Sequence, residues 1–441
     1  MQTTLETIGQ LERRLNLTVP VAAIESEVEK RLARPAKNVK VPGFRPGKVP
    51  MKMVAQQYGP QVRNEVITDA VQSGFADAMR DQNVRVAGYP RIEPKANAAV
   101  TENLEFSAVF EVYPDIRLGD LSTVVIERPV ADVGPEDVEQ TIAVLRKQRM
   151  TYKPVSRLAE GGDRAIVDFT GRIDGVEFPG GQAKDFAIVL GESRMLPEFE
   201  AAITGMKAGE TKAFSLVFPA DYHGAEVAGK AADFKLTVKS IEEPKLPEVD
   251  AEFAKAFGIA SGSLTELKTE IEANLGLELK RKIETRLKEQ ALAALRSKAE
   301  LAVPRSLVEL ESQNMAGRMA EEMRRQGMKT EDIKLAPEMF RDNATERVAL
   351  GLVLAEVVRA HGLTAKPEQV KALVKEAAQT YEQPDAVVRW HYEKPERLNE
   401  FEALAVEHNV VEWVLARAKV VDKPTSFSDL MGPAPQAPGA V

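Results

Sequence analysis

At 441 residues the chain is too long for a single hydrophobic core, and roughly two to four domains are expected. Its 44% hydrophobic and 29% charged residues are ordinary for a globular protein, and the lack of cysteine excludes disulfides, thiolate metal sites and thiol nucleophiles together. The formal net charge of −8 hides an opposite segment: from Glu29 to Lys52 eight basic residues stand against one acid, a local balance of +7.

Such a patch suits a polyanionic partner, because phosphate contacts gain from counterion release, and it equally suits a solvated helix and loop. No apolar run reaches the roughly 18 to 20 residues that span a bilayer. The longest, Val348 to Val358, is broken by Gly351 and Glu356. Met1 to Leu15 carries Glu6 and Glu12 and no apolar h-region, so no secretory signal is expected and the cytosol is the expected compartment.

Residues 1–113 read as an α+β domain. Leu15, Leu17 and Val19 alternate as in a strand, and Ile24, Val28 and Leu32 recur every four residues as in a helix. Pro60 is expected to open a second helix, with an apolar face of Val62, Val66 and Ala70 continuing to Met79. Leu104, Phe106, Ala108, Phe110 and Val112 alternate again until Pro114 stops the strand. Residues 114–150 read as a connector with a short extended stretch, Thr123 to Glu127, and a helix from Pro135 to Gln148. Glu136 and Asp137 in its first turn suit the helix dipole.

Residues 151–244 are β-rich. Asp174-Gly175 is a hairpin signal between alternating runs, and Pro197 starts a short helix that ends before Gly205. Phe214, Leu216 and Phe218 alternate, as do Phe234, Leu236 and Val238. Nine of the 25 aromatic residues fall here, so a small antiparallel sheet with an aromatic face is expected. Residues 245–424 turn helical. Ser263-Leu264-Thr265-Glu266 reads as a capping box opening a helix toward Glu300, followed by helices Leu307 to Gln326, Pro337 to Ala360, Pro367 to Tyr381 and Pro395 to Lys419. The tail, 425–441, ends proline-rich and is expected to be disordered. The fold class is therefore multidomain α+β.

Two motifs carry function. Val41 to Pro50 is a stiff glycine- and proline-rich loop with Phe44 and Arg45 at its tip, a pairing that stacks on a base or apolar surface while cations meet phosphate. It is not a nucleotide P-loop: the glycine spacing is one residue short and Val49 stands where a hydroxyl is needed. Gly43-Phe44-Arg45-Pro46-Gly47-Lys48-Val49-Pro50, followed by Val54-Ala55-Gln56-Gln57-Tyr58-Gly59, resembles the ribosome-binding signature of bacterial trigger factors. The resemblance covers all but the tail. It implies that this loop docks on the large ribosomal subunit beside the exit tunnel, touching a ribosomal protein and rRNA. Pro46 stands where many members are basic.

The second motif is dispersed. Asp168-Phe169-Thr170-Gly171, Phe178, Asp185-Phe186, Gly191, Met195 to Glu200, Gly205 to Glu210, Tyr222 and Phe234 follow the order and spacing of FKBP-type prolyl isomerases. The resemblance implies a shallow apolar pocket of Phe169, Phe178, Phe186, Met195, Leu196, Phe199, Tyr222 and Phe234. Phe199 replaces the tryptophan of free-standing FKBPs, and Pro179 follows Phe178 where an acid is usual. Read singly, each of these aromatics reads as the core of a small β domain rather than as pocket; the ordered set with its glycines carries the isomerase reading.

The helical region has no nucleotide loop, and His361, His391 and His408 lack metal-ligand spacing, so no cofactor is expected. Met315, Met319 and Met323 recur at four-residue spacing. They suit adaptable apolar binding or a buried stripe between helices. The resemblance implies arms around a cradle for unfolded nascent chains, with the connector packed along them. It also admits pairing of two free copies, and implies a link to cell division that no residue here derives. The expected function is an ATP-independent ribosome-associated chaperone with prolyl isomerase activity. Its rivals are a free cytosolic FKBP-type isomerase with adaptor domains, against which the basic loop argues, and a periplasmic chaperone-isomerase, against which the missing signal argues.

Overall fold

The structure, a computed structural model, describes residues 2–33, 51–95, 102–192, 195–220, 222, 227–327, 335–379, 381 and 383–432. The chain divides into two compact units, residues 1–128 with 286–421 and residues 129–285 with 422–441.

The first unit begins with β1 (Gln2–Thr7), β2 (Glu12–Pro20), α1 (Val21–Leu32), α2 (Met51–Asp81), β3 (Val86–Pro94) and β4 (Asn103–Val112). The strands form an antiparallel sheet ordered β1-β2-β4-β3. The period-two residues Leu15, Leu17 and Val19 and the period-four residues Ile24, Val28 and Leu32 meet in one core with Ala108 and Phe110. Pro60 does not open α2. It sits inside the helix, which already starts at Met51. Proline removes one backbone hydrogen bond, but Val54 ahead of it and Val66 and Val71 behind it are buried in the same core, and that shared burial carries the helix through.

The connector forms β5 (Arg117–Leu118), β6 (Val125–Val130) and α3 (Pro135–Gln148). The bounds of α3 are those read from Pro135 and its acidic first turn, and Asp137 accepts the N–H of Gly134 at 2.8 Å.

Within the second unit, β7 (Thr151–Val155), β8 (Arg164–Ile173), β9 (Val176–Val189), α4 (Pro197–Ile203), β10 (Thr211–Val217) and β11 (Ala231–Lys245) build the head. Its antiparallel sheet runs β10-β11-β8-β9, and β7 also pairs with β11. Asp174 (φ 52°) and Gly175 (φ 80°) close the β8–β9 hairpin, both left-handed as a type I′ turn requires.

The remaining elements are α5 (Ala251–Ala256), α6 (Leu264–Lys298), β12 (Ala299–Glu300), α7 (Arg305–Arg325), α8 (Arg341–His361), α9 (Pro367–Ala378), α10 (Pro384–Tyr392), α11 (Asn399–Leu415), β13 (Lys419–Pro424) and α12 (Phe427–Met431). At 1.5 Å per residue, α6 is about 52 Å long. It stops at Lys298 because Ala299 and Glu300 pair with Leu118 and Arg117. Only half of its expected capping box forms. Ser263 Oγ accepts the Glu266 N–H, whereas the Glu266 carboxylate turns to the Ser261 hydroxyl. Pro337 and Pro395 each begin a short 3-10 turn rather than the long helix behind it. α9 ends at Ala378, short of Tyr381, and α10 has no counterpart in the sequence reading. No helix among the described residues is long and apolar enough to cross a membrane.

Candidate functional site

Strand parity in the head brings the dispersed aromatics together. Along β8 burial alternates, so Ala165, Val167, Phe169 and Gly171 face the core while Asp168 and Thr170 face outward. Phe234 on β11 lies opposite Gly171 on one side and Phe214 on the other. A Cβ on Gly171 would stand 2.5 to 3.0 Å from the Phe234 ring, so only glycine seats that ring. Gly181 does the same for Phe178, whose ring carbons lie 2.8 to 2.9 Å from where a Cβ would be.

The floor is Phe199, in the first turn of α4 and 1% exposed. Its ring meets Phe169, Phe214 and Phe234 edge-on at 5.1, 5.4 and 5.5 Å, the T-shaped geometry that aromatic quadrupoles prefer. Phe169 and Phe234 are 7% and 5% exposed. Phe178, Met195, Leu196 and Tyr222 are half-buried against this core as walls. Phe186 is 41% exposed at the rim, its ring T-shaped on Phe169 at 5.8 Å. All eight expected residues therefore share one graded apolar surface, from buried floor to exposed rim.

Two further phenylalanines belong to it. Phe214 stacks on Phe234 at 5.8 Å, and Phe218 touches Tyr222 at 4.8 Å and Phe178 at 6.0 Å. Phe214 lies on β10 and Phe218 one residue past its end, and their alternation with the buried Leu216 is the signal that joins them to the site.

Among the described residues, charge is kept to the margins. Asp163, buried in the turn before β8, takes both Arg157 Nη groups at 2.5 and 2.8 Å and the Glu160 N–H at 2.9 Å. Burial pushes its carboxyl up, but the Arg157 hydrogen bonds, the Glu160 N–H and the Arg157 charge together hold it below the usual range. On the outer face of β8, Asp168 accepts the Asp185 N–H at 2.7 Å, and Lys239 reaches both carboxylates. That N–H, joined by Lys239, lowers the Asp168 carboxyl. No group of three His, Cys, Asp or Glu among the described residues is placed to share a metal ion.

The candidate loop Gly43, Phe44, Arg45, Pro46, Gly47 and Lys48 lies outside the described residues. The motif continues onto α2, where Val54 is buried and Tyr58 half-buried in the core, so these two serve packing. In α7 the buried stripe is Val308, Ser312 and Ala316. Met315 and Met323 are half-buried beside it and Met319 is 42% exposed, neither a sealed core nor a fully open face. Exposed aromatics on and beside α10 were not expected: Trp390, under the Arg397 guanidinium at 3.8 Å, Tyr392 and Tyr381.

Residues 1–145 match the family model described as bacterial trigger factor protein, residues 263–416 the model of the trigger factor C-terminus, and residues 155–239 the FKBP-type peptidyl-prolyl cis-trans isomerase model. The chain is 53% identical over 432 residues to the trigger factor of Aromatoleum aromaticum, covering 98% of this chain and 99% of that protein. It is 50% identical over 432 residues to the trigger factor of Dechloromonas aromatica, with coverage of 98% and 99%. To that of Nitrosospira multiformis it is 50% identical over 433 residues, covering 98% and 100%.

Proposed function

The chain belongs to the bacterial trigger factor family, and from that premise we propose which of its surfaces carry the family's two activities. It is a ribosome-associated chaperone with FKBP-type prolyl isomerase activity, and its partners are ribosomes and nascent chains. The isomerase site is the graded phenylalanine surface of the head. The observation that carries this reading is the floor, where Phe199 meets Phe169 and Phe234 edge-on and those two rings tilt against each other at 55°.

Rotating an X-Pro bond means crossing a resonance barrier of roughly 18 to 20 kcal/mol with no bond broken. Neither nucleophile nor metal is required. The twisted amide has lost its resonance and is less polar than the planar one, so a dry apolar surface binds it better than water does. The proline ring rests on Phe199 and Phe234 between Phe178, Met195 and Leu196. Phe186 closes one side, and a backbone N–H or the Tyr222 hydroxyl serves the turning carbonyl.

Docking is assigned to Gly43–Lys48, on the large subunit beside the exit tunnel, by sequence alone: two cations, Arg45 and Lys48, follow the aromatic Phe44 within a +7 segment. Residues 1–113 form the docking domain, 114–150 the connector, 151–244 the isomerase, and 245–424 the client-holding body, with Met315, Met319 and Met323 on its client surface. The compartment is the cytoplasm. With no nucleotide loop, binding and release run on equilibria, through weak multivalent contacts. Pairing of two free copies belongs to the same proposal and is read from the mass of the protein as its concentration rises.

The test is binding to purified 70S ribosomes by the wild type and by a Phe44→Ala/Arg45→Ala double variant, beside isomerisation of an X-Pro peptide. Loss of docking with isomerase activity retained is expected. No affinity of the wild type for ribosomes at physiological salt would overturn the docking assignment.

A further inference from the structure

The geometry points to Asp168 as a positioning residue of the isomerase: together with Lys239 it clamps Asp185 in a left-handed bulge, and that bulge turns Phe186 onto the catalytic face. The inference rests on reading the phenylalanine surface of the head as the isomerase site.

Strand register is the starting point. β8 and β9 pair Ala165 with Ile188, Ile166 with Ala187 and Val167 with Phe186, but then Phe169 with Ala183. Lys184 and Asp185 therefore stand against Asp168 alone, a β-bulge with one extra residue on β9. Because strand side chains alternate, one extra residue reverses which of them face the core. Counting from Ala183, an unbulged strand would put Asp185 and Ala187 on the face of Phe169 and send Phe186 outward. The bulge instead sets Phe186 opposite the buried Val167, with its ring edge-on to Phe169 at 5.8 Å.

The other neighbour of β8 is irregular at the same level. β11 pairs Val238 with Val167 and Ser240 with Ile166, so Lys239 is the extra residue of a second bulge. Asp168 lies between the two bulges and ties them. Its Oδ1 accepts the Asp185 N–H at 2.7 Å, and the Lys239 ammonium spans Asp185 Oδ1 at 2.5 Å and Asp168 Oδ1 at 3.2 Å. At φ 52° Asp185 sits in the left-handed region, which aspartate enters more readily than most residues but at a cost that glycine does not bear, and the clamp offsets that cost. All three charged groups are substantially exposed, and exposed ion pairs contribute little to global stability. The clamp therefore acts on local geometry, directly behind the pair of rings that forms floor and rim.

The experiment measures isomerisation of an X-Pro peptide by the full-length protein, with kcat and KM separated, together with thermal midpoints and the ring-to-ring NOE between Phe169 and Phe186. Asp168→Ala should lower kcat/KM about tenfold, chiefly through KM, as an unanchored rim aromatic no longer meets substrate. Its thermal midpoint should stay near that of the wild type while the NOE weakens. Asp168→Asn, which keeps an oxygen for the Asp185 N–H, should retain most activity. Asp168→Ala/Asp185→Gly should regain activity over Asp168→Ala, since glycine holds the left-handed bulge without a clamp. Unchanged kinetics in Asp168→Ala with an active wild type would overturn the inference alone, as would a double variant no better than the single one. A wild type without isomerase activity would overturn the isomerase reading and this inference with it.

Discussion

Gly171 shows how much of the site turns on one missing methyl. Its neighbour across the sheet, Phe234, occupies the space a Cβ would need, and Phe234 in turn contacts Phe169, Phe199 and Phe214. Gly171→Ala should push that ring off its seat at about 1–3 kcal/mol, the usual cost of overpacking a filled core. Urea unfolding would read the lost stability, and peptide isomerisation should fall with it; an alanine variant of wild-type stability and activity would show that the ring has room to give. The glycine is legible in the sequence through its motif. That it exists for Phe234, 63 positions on, is visible only once β8 and β11 are paired.

Among elements, the turn leading into β8 is held by the buried Asp163 carboxylate, paired with a partly exposed Arg157, and by Leu190, whose N–H donates to the Asp163 carbonyl and whose carbonyl accepts from Gly162. Asp163 ionises more readily in the folded head than in the unfolded chain. Its contribution to stability is thus complete above the ordinary carboxylate range and is lost as pH falls through the depressed value. The thermal midpoint of the head should drop on acidification below about pH 4, and Asp163→Asn should lower the midpoint at neutral pH and flatten that dependence. A variant with the wild-type acid profile would assign the acid loss to other carboxylates. The start of α7 is equally dependent on a distant group. Pro304 at its N-cap offers no side-chain acceptor, and the N–H groups of Arg305 and Ser306 donate instead to the Glu111 carboxylate at 3.1 and 2.7 Å. The usual cap is the residue next door, whereas this acceptor lies 194 residues away and leaves no mark on the local sequence.

For the molecule as a whole, the body of the first unit is assembled from segments far apart in the chain. Leu121 and Ile126 meet Ala291, Ala294 and Leu295 of α6, Val353 and Val357 of α8, and Val410 and Val414 of α11 in one core. Contacts of such separation are closed late, so this core waits on the C-terminal residues. Leu295, fully buried, is a direct probe. Leu295→Ala should cost about 2–5 kcal/mol in the unfolding of this unit and leave isomerisation of a short X-Pro peptide unchanged, since the head has a separate core with no shared residue. A parallel loss of isomerase activity would show that the two cores are coupled.

Features that depend on neighbours a few residues away are legible in the chain before it folds. The inward parity of β8, the left-handed Asp174-Gly175 turn, the start of α3 at Pro135 and the α+β character of the N-terminal sheet all follow from local spacing and turn chemistry. The ordered phenylalanines were legible too, as a motif, although not the gradient from floor to rim or the parts of Phe214 and Phe218. Tertiary structure decided the rest: that α2 continues through Pro60, that Met315, Met319 and Met323 sit at the margin of a buried stripe, that Glu111 caps α7, and that Asp168 ties two bulges. Glu111 on β4 and Asp168 on β8 each lie on a different element from the N–H they accept. The energy that settles the outcome, from shared burial or a satisfied N–H, exists only after the chain has brought the two together.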